Sequence, residues 1–73
     1  MKKTIHQQKY KQIVEKLKKA RKEASFTQIQ VSEKLKKPQS YISKVEAGEQ
    51  RIDVVELKLF ADLYKKPINY FLK

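Results

Sequence analysis

Four residues of this chain, Gln39, Ser40, Ser43 and Lys44, have side chains whose chemistry points to a definite partner. If the segment 38–47 is a helix that buries Ile42 and Val45, these four fall on its opposite face or at the edges of that face. Gln can pair with both hydrogen-bonding positions of adenine in the major groove, Lys can donate to guanine, and Ser can serve either. Catalytic chemistry has no comparable support. The carboxylates are scattered rather than paired, and no activated nucleophile, phosphate loop or metal cluster can be assembled from the spacing. There is no Cys, so disulfides and thiolate zinc sites are excluded, and His6 is the only histidine. The expectation is a protein that is not an enzyme and needs no cofactor, metal or small-molecule ligand.

Such a face is useful only if neighbouring elements hold it, and residues 27–48 (TQIQVSEKLKKPQSYISKVEAG) contain them. Thr27 and Gln30 have capping-box spacing, and Phe26 with Val31 sits at the positions of a hydrophobic staple, so a helix starts at Thr27. Val31 and Leu35 point inward. Pro38 disfavours helical geometry in Lys37 and suits the first turn of the next helix, so Lys36-Lys37-Pro38 is read as the turn. Gly48, the only glycine, falls where a left-handed residue ends that next helix. Two short helices joined by a tight turn form the outline of a helix-turn-helix, here placed at 27–47.

The flanks read as helices too. Tyr10, Ile13, Val14, Leu17, Ala20 and Ala24 form one apolar stripe, which predicts a helix from 5–8 to 24, with Thr4 and Gln7 as its start and residues 1–8 prone to fray. Asp53 and Glu56 repeat the capping-box spacing, with Ile52 and Leu57 as the staple. Val54, Leu57, Ala61 and Tyr64 then supply a core stripe, and Pro67 opens a last short helix carrying Ile68, Phe71 and Leu72. The expected fold is all-α: one compact four-to-five-helix bundle over 1–73, with 67–73 as a packing or dimerisation segment.

At 73 residues the chain buries only roughly 60% of its unfolded surface, so a partner subunit would help it. The net charge is +10, of which +8 falls within residues 1–22. One electropositive face, and with it a polyanionic partner, is the natural reading. No apolar run is long enough to span a membrane and no signal peptide pattern opens the chain, so a cytoplasmic location is expected.

Together these landmarks resemble the phage-repressor and Cro-type helix-turn-helix, the XRE family of bacterial and phage regulators. Arg21, Thr27-Gln28, Val31, Leu35, Ile42, Val45, Glu46, Gly48, Leu57 and Ala61 carry the resemblance, which spans residues 17–64. It implies a lambda-repressor-like DNA-binding domain with Gln39, Ser40 and Lys44 as base readers. It also implies that Arg21 and Glu46 form a structural ion pair, and that Gln28 meets a phosphate at the start of its helix, where exposed amides favour anions. Lys36 and Lys37 depart from the family, which commonly has glycine in the turn and Ser or Thr as cap. Cations oppose the dipole at a helix start, which a DNA phosphate would relieve. Tyr41 and Ser43 at the rim, and Gln50 and Arg51 past Gly48, are further candidates for backbone contacts.

Val55, Leu59 and Leu63 make a second apolar stripe beside the core stripe of the fourth helix. With Phe60, Tyr70 and Phe71 also to place, the chain has more apolar surface than one core needs. Val55, Leu59, Leu63, Tyr70 and Phe71 are therefore assigned to a homodimer interface. The functional expectation is a dimeric, sequence-specific regulator of double-stranded DNA, a repressor or small controller protein on a pseudo-palindromic operator, with polymerase as a possible protein partner. One alternative is an antitoxin or other protein-interaction module holding a toxin on the apolar stripe. The other is a non-specific cation that binds RNA or an anionic membrane through the first helix.

Overall fold

The computed structural model describes the backbone of residues 5–73 and the side chains from Gln8 onward. The proposed Thr4–Gln7 start of the first helix, and the side chain of His6, lie outside the described residues. Among the described residues five helices follow in order: α1 (Ile5–Glu23), α2 (Gln28–Leu35), α3 (Gln39–Glu46), α4 (Val54–Tyr64) and α5 (Ile68–Leu72). No strand occurs among the described residues, and the chain is all-α. α1 begins at Ile5, inside the 1–8 stretch expected to fray.

Both capping boxes are formed. The Gln30 amide donates to Thr27 Oγ1 at 3.1 Å, and the Thr27 amide donates to Gln30 Oε1 at 2.9 Å. At α4 the Glu56 amide donates to Asp53 Oδ1 at 2.8 Å, and the Asp53 amide to Glu56 Oε1 at 3.2 Å. Each box satisfies donors that a helix start leaves without intrahelical partners. Pro38 stands just ahead of α3, extended at ψ 149°, and its carbonyl accepts from the Tyr41 amide at 3.0 Å.

Among the described residues the helix ends use left-handed backbone four times. Gly48 has φ 79°, where its missing Cβ removes the steric cost. Ser25, Lys36 and Lys65 adopt the same region at φ 63°, 57° and 59°. At Lys36 the chain turns so that the amides of Lys36 and Lys37 both return to the Ser32 carbonyl. The stop between α2 and α3 therefore begins one residue before the proline-restricted Lys37.

The core comprises Leu17 and Ala20 from α1, Val31 from α2, Ile42 and Val45 from α3, Leu57, Phe60, Ala61 and Tyr64 from α4, and Phe71 from α5. Two assignments change, those of Val54 and Phe71, and Phe60, left open by the sequence, finds its place. Val54 is 65% exposed, because it opens α4 one turn before the helix meets the core. Phe60 and Phe71 are 2% and 1% exposed, so both fill this chain's own interior. Phe71 cannot serve a partner subunit. Tyr70 is half-buried, edge-on to Phe71 at 4.9 Å, with the Lys16 and Lys66 ammonium groups over its ring. Lys16 Nζ also donates to the Tyr70 and Lys73 carbonyls at 3.1 and 2.8 Å, anchoring α5 to α1.

Candidate nucleic-acid interface

α3 is seated from beneath by Ile42 and Val45, each 0% exposed. The helical period then turns Gln39, Ser40, Ser43 and Lys44 outward, and all four are exposed. None of the four makes a side-chain hydrogen bond or ion pair to another described residue. α3 begins without a side-chain cap, since Pro38 has none to offer. The result is an outward helix face whose donors and acceptors are available to a ligand.

The seating of α3 is reinforced by a charged network. Arg21 Nε donates to Glu46 Oε2 at 2.8 Å and its NH2 group to Glu46 Oε1 at 3.0 Å, while its NH1 group donates to the Phe26 carbonyl at 2.9 Å. Glu46 is 5% exposed, so its charge depends on these partners. The bond to Glu46 raises the Arg21 guanidinium above its ordinary range, ahead of the opposing effect of burial. Gln28 joins the same carboxylate, its Nε2 donating to Glu46 Oε1 at 3.1 Å. The Gln28 side chain, expected to meet a phosphate, is thus half-buried and engaged in tying α2 to α3.

The turn separates its two lysines. Lys37 Nζ lies 3.4 Å from Glu56 Oε2 and 5.1 Å from the Tyr41 ring centroid. Its cation is neutralised within the chain, so the unfavourable position near the α3 start is offset by a carboxylate from α4 rather than requiring a phosphate. Lys36 is exposed and unpaired among the described residues. Tyr41 also departs from its expected role. Its hydroxyl is buried without a hydrogen-bond partner, and burial first, then Glu56, pushes the phenol well above its usual range. A hydroxyl buried in this way is not free to donate to a phosphate.

Past α3, Gln50 and Arg51 are exposed. The Gln50 carbonyl accepts from Tyr10 Oη at 3.0 Å, and the Arg51 guanidinium lies 4.5 Å from the Tyr10 ring centroid. Tyr10 was expected only as part of the core stripe. Its role as a tether for this turn has no local signal, since the contact joins residues forty apart in sequence. Among the described residues, no helix is long and apolar enough to cross a membrane.

The Helix-turn-helix family model matches residues 17–71 of this chain. Neither a curated protein nor a solved structure matches it.

Proposed function

The chain belongs to the XRE-type helix-turn-helix family of DNA-binding transcription regulators, and from that premise we propose that it reads a specific operator as a homodimer. The observation that carries the proposal is the α3 face. Gln39, Ser40, Ser43 and Lys44 are exposed and unengaged, while Arg21, Glu46 and Gln28 hold the helix from behind. Gln39, Ser40 and Lys44 are the base readers in this proposal, because their donors and acceptors suit base edges. Lys36, Ser43, Gln50 and Arg51 contact phosphates, with Lys37 contributing field rather than a free donor.

The dimer reading is supported by α4. Val55 and Leu59, one turn apart, are 66% and 43% exposed, and Leu63 continues the stripe half-buried. A two-fold pairing through this face would place two α3 helices on half-sites about 34 Å apart. Bound over a promoter, such a dimer would act as a repressor or controller.

Selection of duplexes from a randomised pool with the full chain tests this directly. The expected result is an enriched pseudo-palindrome with half-sites one helical turn apart. Binding that ignores sequence and falls steeply with salt would instead support the non-specific polycation reading. The same α4 stripe could serve a different protein, as in an antitoxin. A monomer that still selects a single half-site would favour that reading.

A further inference from the structure

The turn that follows α3 is fastened to α1 at a point outside the matched family segment. Tyr10 Oη holds the Gln50 carbonyl at 3.0 Å and its ring carries the Arg51 guanidinium at 4.5 Å, whereas the family match begins at residue 17. Beside this tether lies a cleft of about 490 Å³ between α1 and the end of α3. Lys11 and Lys18 line it from α1, Arg51 from the turn, and Ala47 and Gly48 from the end of α3.

The charge in the cleft is positive once internal pairs are removed. Glu46 is consumed by Arg21 and Gln28, and Glu15 lies 3.5 Å from Lys18. Lys11 and Arg51 have no carboxylate partner among the described residues. Access is open, since a Cβ placed on Gly48 would meet nothing within 4 Å. The cleft also adjoins the reading face, because Ala47 is the residue one turn after Ser43 and Lys44.

We propose that this cleft seats the DNA sugar-phosphate backbone flanking the half-site, making the early part of α1 a portion of the DNA-binding surface. The inference rests on the operator reading of α3 and extends its footprint outward. Lys11 from α1 and Arg51 from the turn both line an open cleft in which Glu15 and Glu46 are already engaged by other partners, which suits a phosphate beside a docked helix, and Tyr10 is the positioning residue that presents Arg51 to it.

The test compares Lys11→Gln with Lys9→Gln, which removes the same charge from an exposed α1 position outside the cleft. Both full-length variants are titrated on the duplex recovered by selection, once with flanking base pairs and once trimmed to the half-sites. On the flanked duplex Lys11→Gln should bind on the order of fivefold to tenfold more weakly at 0.1 M salt, with a salt slope smaller by about 1.8 because each protomer of the dimer loses one contact, while Lys9→Gln stays near wild type. On the trimmed duplex the difference should vanish. Tyr10→Phe, which keeps the ring beneath Arg51 but releases Gln50, should show a smaller loss on the flanked duplex alone. Equal behaviour of the Lys9 and Lys11 variants, or a Lys11 defect that persists on the trimmed duplex, would overturn the flanking seat. A wild-type protein that prefers no sequence would instead overturn the operator reading beneath it, a distinguishable result.

Discussion

Glu46 receives Arg21 through two parallel hydrogen bonds of 2.8 and 3.0 Å, which joins the end of α1 to the end of α3 across an almost dry contact. Removing one partner leaves the other charge buried and uncompensated, typically about 3–5 kcal/mol. In a domain this small that is a large share of total stability. Arg21→Ala should therefore lose most of its cooperative thermal transition by circular dichroism. Arg21→Lys should recover only part of it, because an ammonium cannot reproduce the fork. A melting curve for Arg21→Ala that overlays wild type would remove the pair from the account of how α3 is held.

Lys36 sits at φ 57° with its side chain in solvent. A non-glycine residue in this region carries a penalty of roughly 1–2 kcal/mol, part of which glycine returns as unfolded-state entropy. Lys36→Gly should raise stability by about 0.5–1 kcal/mol, and about 1 kcal/mol corresponds to a rise of roughly 4–8 °C in Tm. The same variant should bind DNA more weakly, because it loses an exposed cation that the proposed interface sets against a phosphate. A drop in Tm would show that the lysine stem makes a stabilising contact in the turn.

Base reading and phosphate binding separate in a library experiment. Gln39→Ala and Lys44→Ala should each relax preference at defined base positions by about 1–3 kcal/mol, while Lys36→Ala weakens all sequences alike. Lys37→Ala should show a smaller uniform loss than Lys36→Ala, since Glu56 already engages its ammonium. Identical specificity profiles for Gln39→Ala and Lys36→Ala would exclude base readout from this face.

Val55 and Leu59 differ from Phe71 in what their loss should do. Leu59→Asp should shift the protein to a smaller sedimenting species with its fold retained, because the residue is 43% exposed. Phe71→Ala should instead cost about 3–5 kcal/mol of stability, as expected for an aromatic lost from the core. A Leu59→Asp protein that sediments like wild type would discard the α4 interface.

Tyr41 and Tyr64 each bury a hydroxyl that has no hydrogen-bond partner. Burial raises both phenols above the ordinary value near 10. The folded state therefore keeps protons that the unfolded chain releases, so stability is fully present below about pH 10 and declines as pH rises beyond it. Denaturant titrations between about pH 9 and 11 should show this decline, and the Tyr41→Phe, Tyr64→Phe double variant should flatten it. At neutral pH the double variant should be as stable as wild type or slightly more so, since no hydrogen bond is lost. An unchanged alkaline slope in the double variant would assign the decline to other groups.

Local signals placed most of the elements. Thr27 with Gln30 and Asp53 with Glu56 mark helix starts because capping is a short-range exchange between a side chain and amides three residues away. Gly48 marks an end for the same local reason. The left-handed stops at Ser25, Lys36 and Lys65 were not legible, because nothing in Ser or Lys announces that conformation and the packing of successive helices imposes it. The expected core stripe of α4 includes Val54, which is exposed, and leaves Phe60 unplaced, which is buried; both are apolar, and only the angle at which α4 meets the core decides between them.

What the chain's own order of residues determined is the set of helices, the outward chemistry of Gln39, Ser40, Ser43 and Lys44, and the concentration of positive charge before residue 23. These follow from helical period, capping and composition, all of which act over a few residues. Only the tertiary structure decided which polar groups are already taken. Lys37 is drawn to Glu56, Gln28 to Glu46, the Tyr41 hydroxyl is turned inward, and Tyr10 reaches the turn after α3. Each of these joins residues distant in sequence, or depends on burial that distant residues create, so no local pattern encodes it.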